Sequence, residues 1–224
     1  MAKKIIFWFA IISLFNLISC SKLDPMDNYP YYKFSNADNV LISKYNYTTN
    51  QVITYENQFG EQVHFRVISN DLKKYGYYSG TFSSTGSLDY YYDSKIVRLE
   101  IIENQSNFSE EQVCYIFSKS DNHFKSGINF PTWNLEQYYF LDEMDRTYNI
   151  DLGQYINNHR VSISVNGHLF DKVITIQSGV NEICPDSWGA LLPNNVNKLY
   201  YDYDFGIIQF NDLDGKEWKV IYPE

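Results

Sequence analysis

The chain is short of positive charge, of histidine, of glycine and proline, and of cysteine, and each shortage closes off a class of function. Lysine and arginine number 18 against 27 aspartates and glutamates, a formal net charge of −9. Binding a phosphate backbone needs a basic stripe. The local clusters, Lys73-Lys74 and Lys216 with Lys219, are short and flanked by acids, so no nucleic-acid partner is expected. The four histidines, His64, His123, His159 and His168, show no H-x-x-x-H spacing and no C-x-x-C pair accompanies them, so neither a metal nor a cofactor is expected. Eleven glycines and six prolines are too few for a collagen-like or low-complexity chain. No G-x-S-x-G elbow occurs, since Ser79-Gly80 and Gly86-Ser87 do not form one. Acids such as Glu100, Glu103, Asp142 and Glu143 are plentiful, but a glycosidase needs two held at a fixed separation and nothing in the pattern sets one. Asp212-Leu213-Asp214-Gly215 lacks the register of a calcium loop and reads as a turn. The expectation is a protein without catalytic residues.

What the chain has in excess is aromatic: 21 Tyr, 15 Phe and 4 Trp. Tyr and Phe suit pleated, half-buried surfaces, and strand-and-turn signals run through most of the sequence. Val40–Tyr47 and Gln51–Glu56 are strand-like. Val52–Tyr55 and Val63–Val67 flank a hairpin turn at 57–60, with Val63, Phe65 and Val67 on one face. Tyr75–Thr85 reads as a strand plus loop. In Lys95–Glu103 the face of Val97, Leu99 and Ile101 is the core face, and in Gln112–Ser118 Val113, Tyr115 and Phe117 alternate against Cys114 and Ile116. Residues 135–144 fit a helix or an extended segment equally. Val161–Val165 alternates, and Asn166-Gly167 is a strong hairpin cue because both turn positions want φ > 0. A two-residue turn there pairs Val165 with His168 and sets His159 opposite Ile174. Gly206–Phe210 and Glu217–Tyr222 close the chain around Asp214-Gly215. Tyr92–Leu99 echoes Tyr203–Phe210, but so short a pattern is better read as two similar strands than as a duplication. These signals predict an all-β chain: one curved antiparallel sheet, half-barrel or open barrel, with at most one or two short helices.

The start of the chain is different in kind. Lys3-Lys4 precedes an apolar run, Ile5–Leu17, too short to span a bilayer core of roughly 20 residues. Leu17-Ile18-Ser19-Cys20 resembles the lipobox of bacterial lipoproteins, in which the cysteine becomes the first mature residue and carries acyl chains. That resemblance implies a signal peptide over 1–19, a lipidated Cys20, a tether over 20–35 and one β-rich domain over 36–224. Removing Lys3 and Lys4 leaves 16 basic against 27 acidic residues, −11. Multiple acyl chains, rather than a basic patch, then hold the protein to the membrane. The absence of Asp after Cys20 resembles the outer-membrane sorting pattern of enterobacterial lipoproteins. Lys22-Leu23-Asp24 resembles, faintly, the surface-export tags of Bacteroidota lipoproteins. Whether the domain faces the periplasm or the cell surface stays open.

A second resemblance lies downstream. Val165–Ile176, then Leu199-Tyr200-Tyr201 and Phe205–Phe210 followed by Gly215 and Trp218, is similar to the C-terminal part of uncharacterised secreted lipoproteins of Bacteroidota. It covers about a third of the chain, implies a curved antiparallel sheet, and brings no active site.

In an exported chain Cys114 and Cys184 remain, either as a disulfide or as two buried thiols. The clusters Tyr29-Pro30-Tyr31-Tyr32, Tyr75–Tyr78, Tyr90–Tyr92 and Tyr200–Tyr203 contain consecutive tyrosines, which point to opposite faces of a strand. Tyr90, Tyr91, Tyr200 and Tyr201 are the candidate ligand contacts, set against ordinary core and strand surface. The expected function is a non-catalytic envelope lipoprotein that binds a ligand or partner or serves as scaffold. The alternatives are a surface glycan-binding or nutrient-capture component, and a hydrolase whose site is invisible in sequence. The expected partners are the membrane, through the acyl chains, and a glycan, a small apolar ligand or an envelope protein.

Overall fold

A computed structural model describes residues 29–80, 86–104, 112–121, 123–134, 139–141, 146–183 and 195–223. In chain order the strands are β1 (Tyr31–Tyr32), β2 (Val52–Glu56), β3 (Gln62–Ser79), β4 (Ser87–Ile101), β5 (Gln112–Ser120), β6 (His123–Asn129), β7 (Tyr139–Leu141), β8 (Arg146–Tyr148), β9 (Ile150–Asp151), β10 (Val161–Val165), β11 (His168–Gln177), β12 (Val196–Asp202), β13 (Gly206–Asp212) and β14 (Glu217–Ile221). One short helix, α1 (Asn36–Asn39), follows β1. The sheet order is β10-β11-β12-β13-β14-β2-β3-β4-β5-β6-β9, curled into an antiparallel half-barrel. Two meanders, β2 to β6 and β10 to β14, are joined where β14 pairs with β2 through Val220↔Tyr55. That long-range seam makes one sheet of the two ends of the chain.

Alternation produces the core as expected. Val63, Phe65 and Val67 of β3, Val97, Leu99 and Ile101 of β4, and Val113, Tyr115 and Phe117 of β5 are all buried on the inner side. The other face of β4 and β5 is buried too. Ile96, Cys114 and Ile116 form a small outer cluster with Tyr148, whose ring lies where a Cβ at Gly127 would sit, 2.4 Å away. Glycine in β6 is therefore what lets this ring cover the sheet.

The inner side is filled. Tyr55, Phe65, Phe130 and Phe210 pack ring on ring in the same core as Ile53, with Tyr55–Phe65 centroids 4.7 Å apart and Phe130–Phe210 5.3 Å. Beside them Tyr47, Tyr115, Tyr201 and Tyr203 close the space toward the β12–β13 turn. Gly206 belongs to this packing: its φ is +118°, and a Cβ there would sit 2.9 Å from the Tyr115 ring. The curl also brings the segment after β6 against β12. Val196 N–H donates to Thr132 O at 2.9 Å and Asn134 N–H to Val196 O at 2.8 Å.

Several expectations need correction. Val40–Tyr47 is not a strand. It crosses the core as a non-regular segment, burying Leu41, Ile42 and Tyr47, and Lys44 and Tyr45 donate their N–H groups to Asp204 O. Its apolar residues face a core, which mimics strand alternation. The folded body also reaches into the stretch expected as tether. Tyr31–Tyr32 pairs in parallel with Tyr91–Tyr92 of β4, and Ser35 caps α1 through a capping box with Asp38. Asp38 in turn meets Lys119 of β5 at 2.9 Å. Near Asn166-Gly167 the closing pair Val165↔His168 holds, but beyond Ile163↔Phe170 the register moves to Val161↔Val173. The extra residue lies on β11, so the sum that set His159 opposite Ile174 no longer applies. Residues 139–141 and 146–148 are strands, which favours the extended reading for the part of 135–144 that is described. The Tyr92–Leu99 and Tyr203–Phe210 stretches, read from sequence as similar strands and not a duplication, start differently: Tyr92 lies inside β4 and Tyr203 in the turn after β12.

Candidate functional site

The four tyrosines singled out by sequence do not form one site. Tyr90 and Tyr91 lie near the far end of the β3–β4 hairpin, whereas Tyr200 and Tyr201 lie on β12, five strands away in the sheet. Tyr201 is 0% exposed and packs edge-on against Tyr115 and Tyr203, so it cannot touch a ligand. Its neighbour Tyr200 points the other way, half-buried, under the Lys198 ammonium at 4.9 Å. Cys20 and Cys184 fall outside the described residues. Cys114 is a free, buried thiol, and burial pushes it up to about 11, so it is unreactive in the folded state.

The hairpin end is an aromatic surface built by register. Tyr75 opposes Tyr92 and Tyr77 opposes Tyr90, and the Tyr77 and Tyr90 rings stack at 4.6 Å, 11° from parallel. Tyr32 of β1 meets Tyr90 edge-on at 5.1 Å, and Tyr90 shares a hydrogen bond with Ser120 Oγ at 2.8 Å. On the other face the Lys74 ammonium sits between the rings of Tyr31 and Tyr91, at 4.4 and 4.2 Å. Partial burial, with the bond from Tyr31 to the Asp93 carboxylate, raises the Tyr31 phenol to about 12. Most of these groups are engaged with one another, and Tyr78, 51% exposed, is the most open ring of the set.

The better-formed concavity lies elsewhere. A cleft of about 250 Å³ opens where β3 and β4 face β12, β13 and β14. Its floor is Phe65, Ile101, Val196 and Phe210, all buried. The Trp218 indole forms a wall. It stacks on Phe210 at 6.0 Å and donates its N–H to Asp212 Oδ2 at 3.2 Å. Asp212 Oδ1 also accepts the Lys216 N–H at 2.9 Å, which fixes the β13–β14 turn. The rest of the rim is polar. Glu103 accepts from the His64 backbone N–H at 2.9 Å and sits 2.6 Å from its Nδ1. Asn195 Nδ2 donates to Asp214 Oδ2 at 3.2 Å, and Lys216 pairs outward with Glu61 at 2.8 Å. Among the acceptors left open around the cleft are the second oxygen of Asp214 and the hydroxyl of Thr132, a buried residue that lines it.

A second, more polar groove surrounds His168, whose ring stacks on Tyr222 at 3.6 Å and 6°. There Asp204 binds both Lys172 at 2.7 Å and Lys44 at 3.2 Å. Burial raises the Asp204 carboxyl, but the two ammonium groups outweigh it and hold the carboxyl below its ordinary value.

Chemically, the cleft can bind. The Glu103–His64 pair fixes an imidazole, but no hydroxyl or thiol bonds to its other nitrogen among the described residues. Among the same residues no group of His, Cys, Asp and Glu is placed to hold a metal, and no helix is long and apolar enough to cross a membrane. No family model, curated protein or solved structure matches the chain.

Sequence reasoning missed the cleft because its residues come from five strands joined by the β14–β2 seam. The available signal was the Trp218–Val220–Tyr222 alternation beside Asp212 and Asp214, which marked a strand but not what it faced.

Proposed function

We propose that this protein is a non-catalytic binding protein of the bacterial envelope, anchored by acyl chains on Cys20 with an outer-membrane destination, that takes a small amphipathic ligand in the Trp218 cleft. The observation that supports this reading is the cleft itself: an apolar floor under a rim of hydrogen-bond acceptors, beside a closely packed cluster of buried aromatic and aliphatic side chains. Ligand sites combine apolar walls with a few placed polar groups, and those for drug-sized molecules occupy about 300–1,000 Å³. At about 250 Å³ the cleft suits one ring or a short chain. Open acceptors at Thr132 and Asp214 favour a ligand whose head donates hydrogen bonds, and the rim carboxylates favour a cationic head.

The test is a titration of the full chain with 2-phenylethylamine, 2-phenylethanol and phenylacetate, read by NMR at the Trp218 indole N–H. The amine is expected to shift that resonance saturably and phenylacetate to bind worst. Asp214→Asn is expected to weaken the amine several-fold and leave the alcohol unchanged. No shift at Trp218 with any probe, or equal binding of the acid, overturns the reading.

The exposed rings of Tyr29, Tyr31 and Tyr78 favour a second reading, glycan binding at the hairpin end. A glycan array with no hit, or hits unaffected by Tyr31→Ala and Tyr78→Ala, removes it.

A further inference from the structure

The sheet has an open edge at β10, and β10 reads the same in both directions: Val161-Ser162-Ile163-Ser164-Val165. Among the described residues β10 pairs only with β11. Natural sheet edges are usually blocked by charge, proline or a bulge. This one has no charged residue and no proline, and the bulge of the pair lies on β11, which leaves β10 itself regular.

The hairpin fixes which backbone groups point outward. Asn166 and Gly167 both have positive φ, +47° and +83°, the signature of a two-residue turn. In such a hairpin the closing pair Val165–His168 exchanges both hydrogen bonds, and bonding alternates along the strand. Val165 and Ile163 therefore bond inward to β11, and Ser162 and Ser164 present their N–H and C=O groups at the free edge. Val161 is 40% exposed and Ile163 is only partly covered, so the core face is unfinished along this edge.

We propose that the free edge of β10 pairs antiparallel with β10 of a second copy, about a two-fold axis through Ile163. A two-fold interface needs a self-complementary surface, and the palindrome supplies it. Val161 meets Val165, Ile163 meets its own counterpart, and Ser162 meets Ser164 in two symmetric pairs that form four backbone hydrogen bonds. The charge pattern fits as well. Acidic copies, −9 for the full sequence and −11 without residues 1–19, repel each other, but the stretch from His159 to Val165 carries Arg160 and no acid. Five residues of edge pairing bury less than the roughly 1,600 Å² of a standard stable interface. The pair is therefore weak in dilute solution and forms where copies are crowded side by side.

The test is cysteine cross-linking of the full chain in membranes, with the parent chain setting the background from its natural cysteines. Facing Ile163 residues form a non-hydrogen-bonded pair with Cβ atoms about 4.5–5.5 Å apart. Ile163→Cys should therefore cross-link as a dimer at least about tenfold faster than Leu169→Cys, an exposed β11 position, because disulfides demand short Cβ separations. Adding Ser162→Pro removes an outward N–H and no bond to β11. It should return cross-linking to background with the melting temperature unchanged. Equal cross-linking at Leu169→Cys, no dimer from Ile163→Cys, a dimer that survives Ser162→Pro, or a disulfide to a different protein in its place, overturns the proposal.

Discussion

Two sets of tyrosines use the same side chain for opposite ends. At the hairpin end Tyr31 is exposed and Tyr77, Tyr90 and Tyr91 are half-buried, and they satisfy one another by stacking, by Lys74 and by Asp93. In the barrel Tyr47, Tyr55, Tyr115, Tyr201 and Tyr203 are fully enclosed. There each hydroxyl needs an internal partner. Tyr55 donates to Ile207 O at 2.8 Å and Tyr47 to Phe205 O, while Tyr115 accepts the Ile207 N–H at 3.2 Å. These contacts tie β2 and β5 to the start of β13. The hydroxyls of Tyr201 and Tyr203 have no hydrogen-bond partner. A tyrosine-rich sequence is thus not evidence of a ligand platform. Position along the sheet decides, and here much of the aromatic excess closes the concave face and leaves a small cleft at its rim.

The largest effect that should separate the two sets is alkaline unfolding. Burial holds all five core phenols above their ordinary value, with Tyr115 at about 12 although the bond from the Ile207 N–H favours its ionised form. A folded value above the unfolded one means stability that is complete below about pH 10 and lost as the pH climbs toward the folded values. The melting temperature should fall steeply from about pH 10 upward. A flat profile up to pH 12 would place these rings in contact with water.

Next in size is a contrast inside the core. Tyr115→Phe strands the Ile207 N–H and should cost about 1–3 kcal/mol in denaturant unfolding, whereas Tyr201→Phe removes a hydroxyl without a partner and should be neutral or stabilising. Equal losses from the two changes would break the distinction. The smallest effect belongs to the hairpin end. Tyr77→Ala removes one cross-strand stack and should cost no more than about 1 kcal/mol by the same measurement.

How far these features were legible in the sequence follows from what alternation can and cannot carry. It placed Val63, Phe65 and Val67, and Val97, Leu99 and Ile101, on the inner face, and it found the Asn166-Gly167 hairpin. It does not assign phase to neighbouring tyrosines, so it groups Tyr201 with Tyr200 although Tyr201 is fully buried and Tyr200 only half-buried. It could not show that β3 runs 18 residues, because the bulge between Val67 and Ser69 shifts the phase partway along. Nor could it separate Val40–Tyr47 from a strand, since an irregular segment lying on a core buries apolar residues at similar intervals. The cleft depends on β14 reaching β2, a pairing across the whole chain that no local pattern encodes.

The most direct test of the filled half-barrel is tyrosine nitration of the native full chain, mapped by mass spectrometry before and after unfolding. Modification in the native state is predicted at Tyr29, Tyr31 and Tyr78, and at Tyr47, Tyr55, Tyr115, Tyr201 and Tyr203 only after unfolding. Native modification of Tyr115 or Tyr201 at a rate matching Tyr78 would mean an open concave face and would contradict the account.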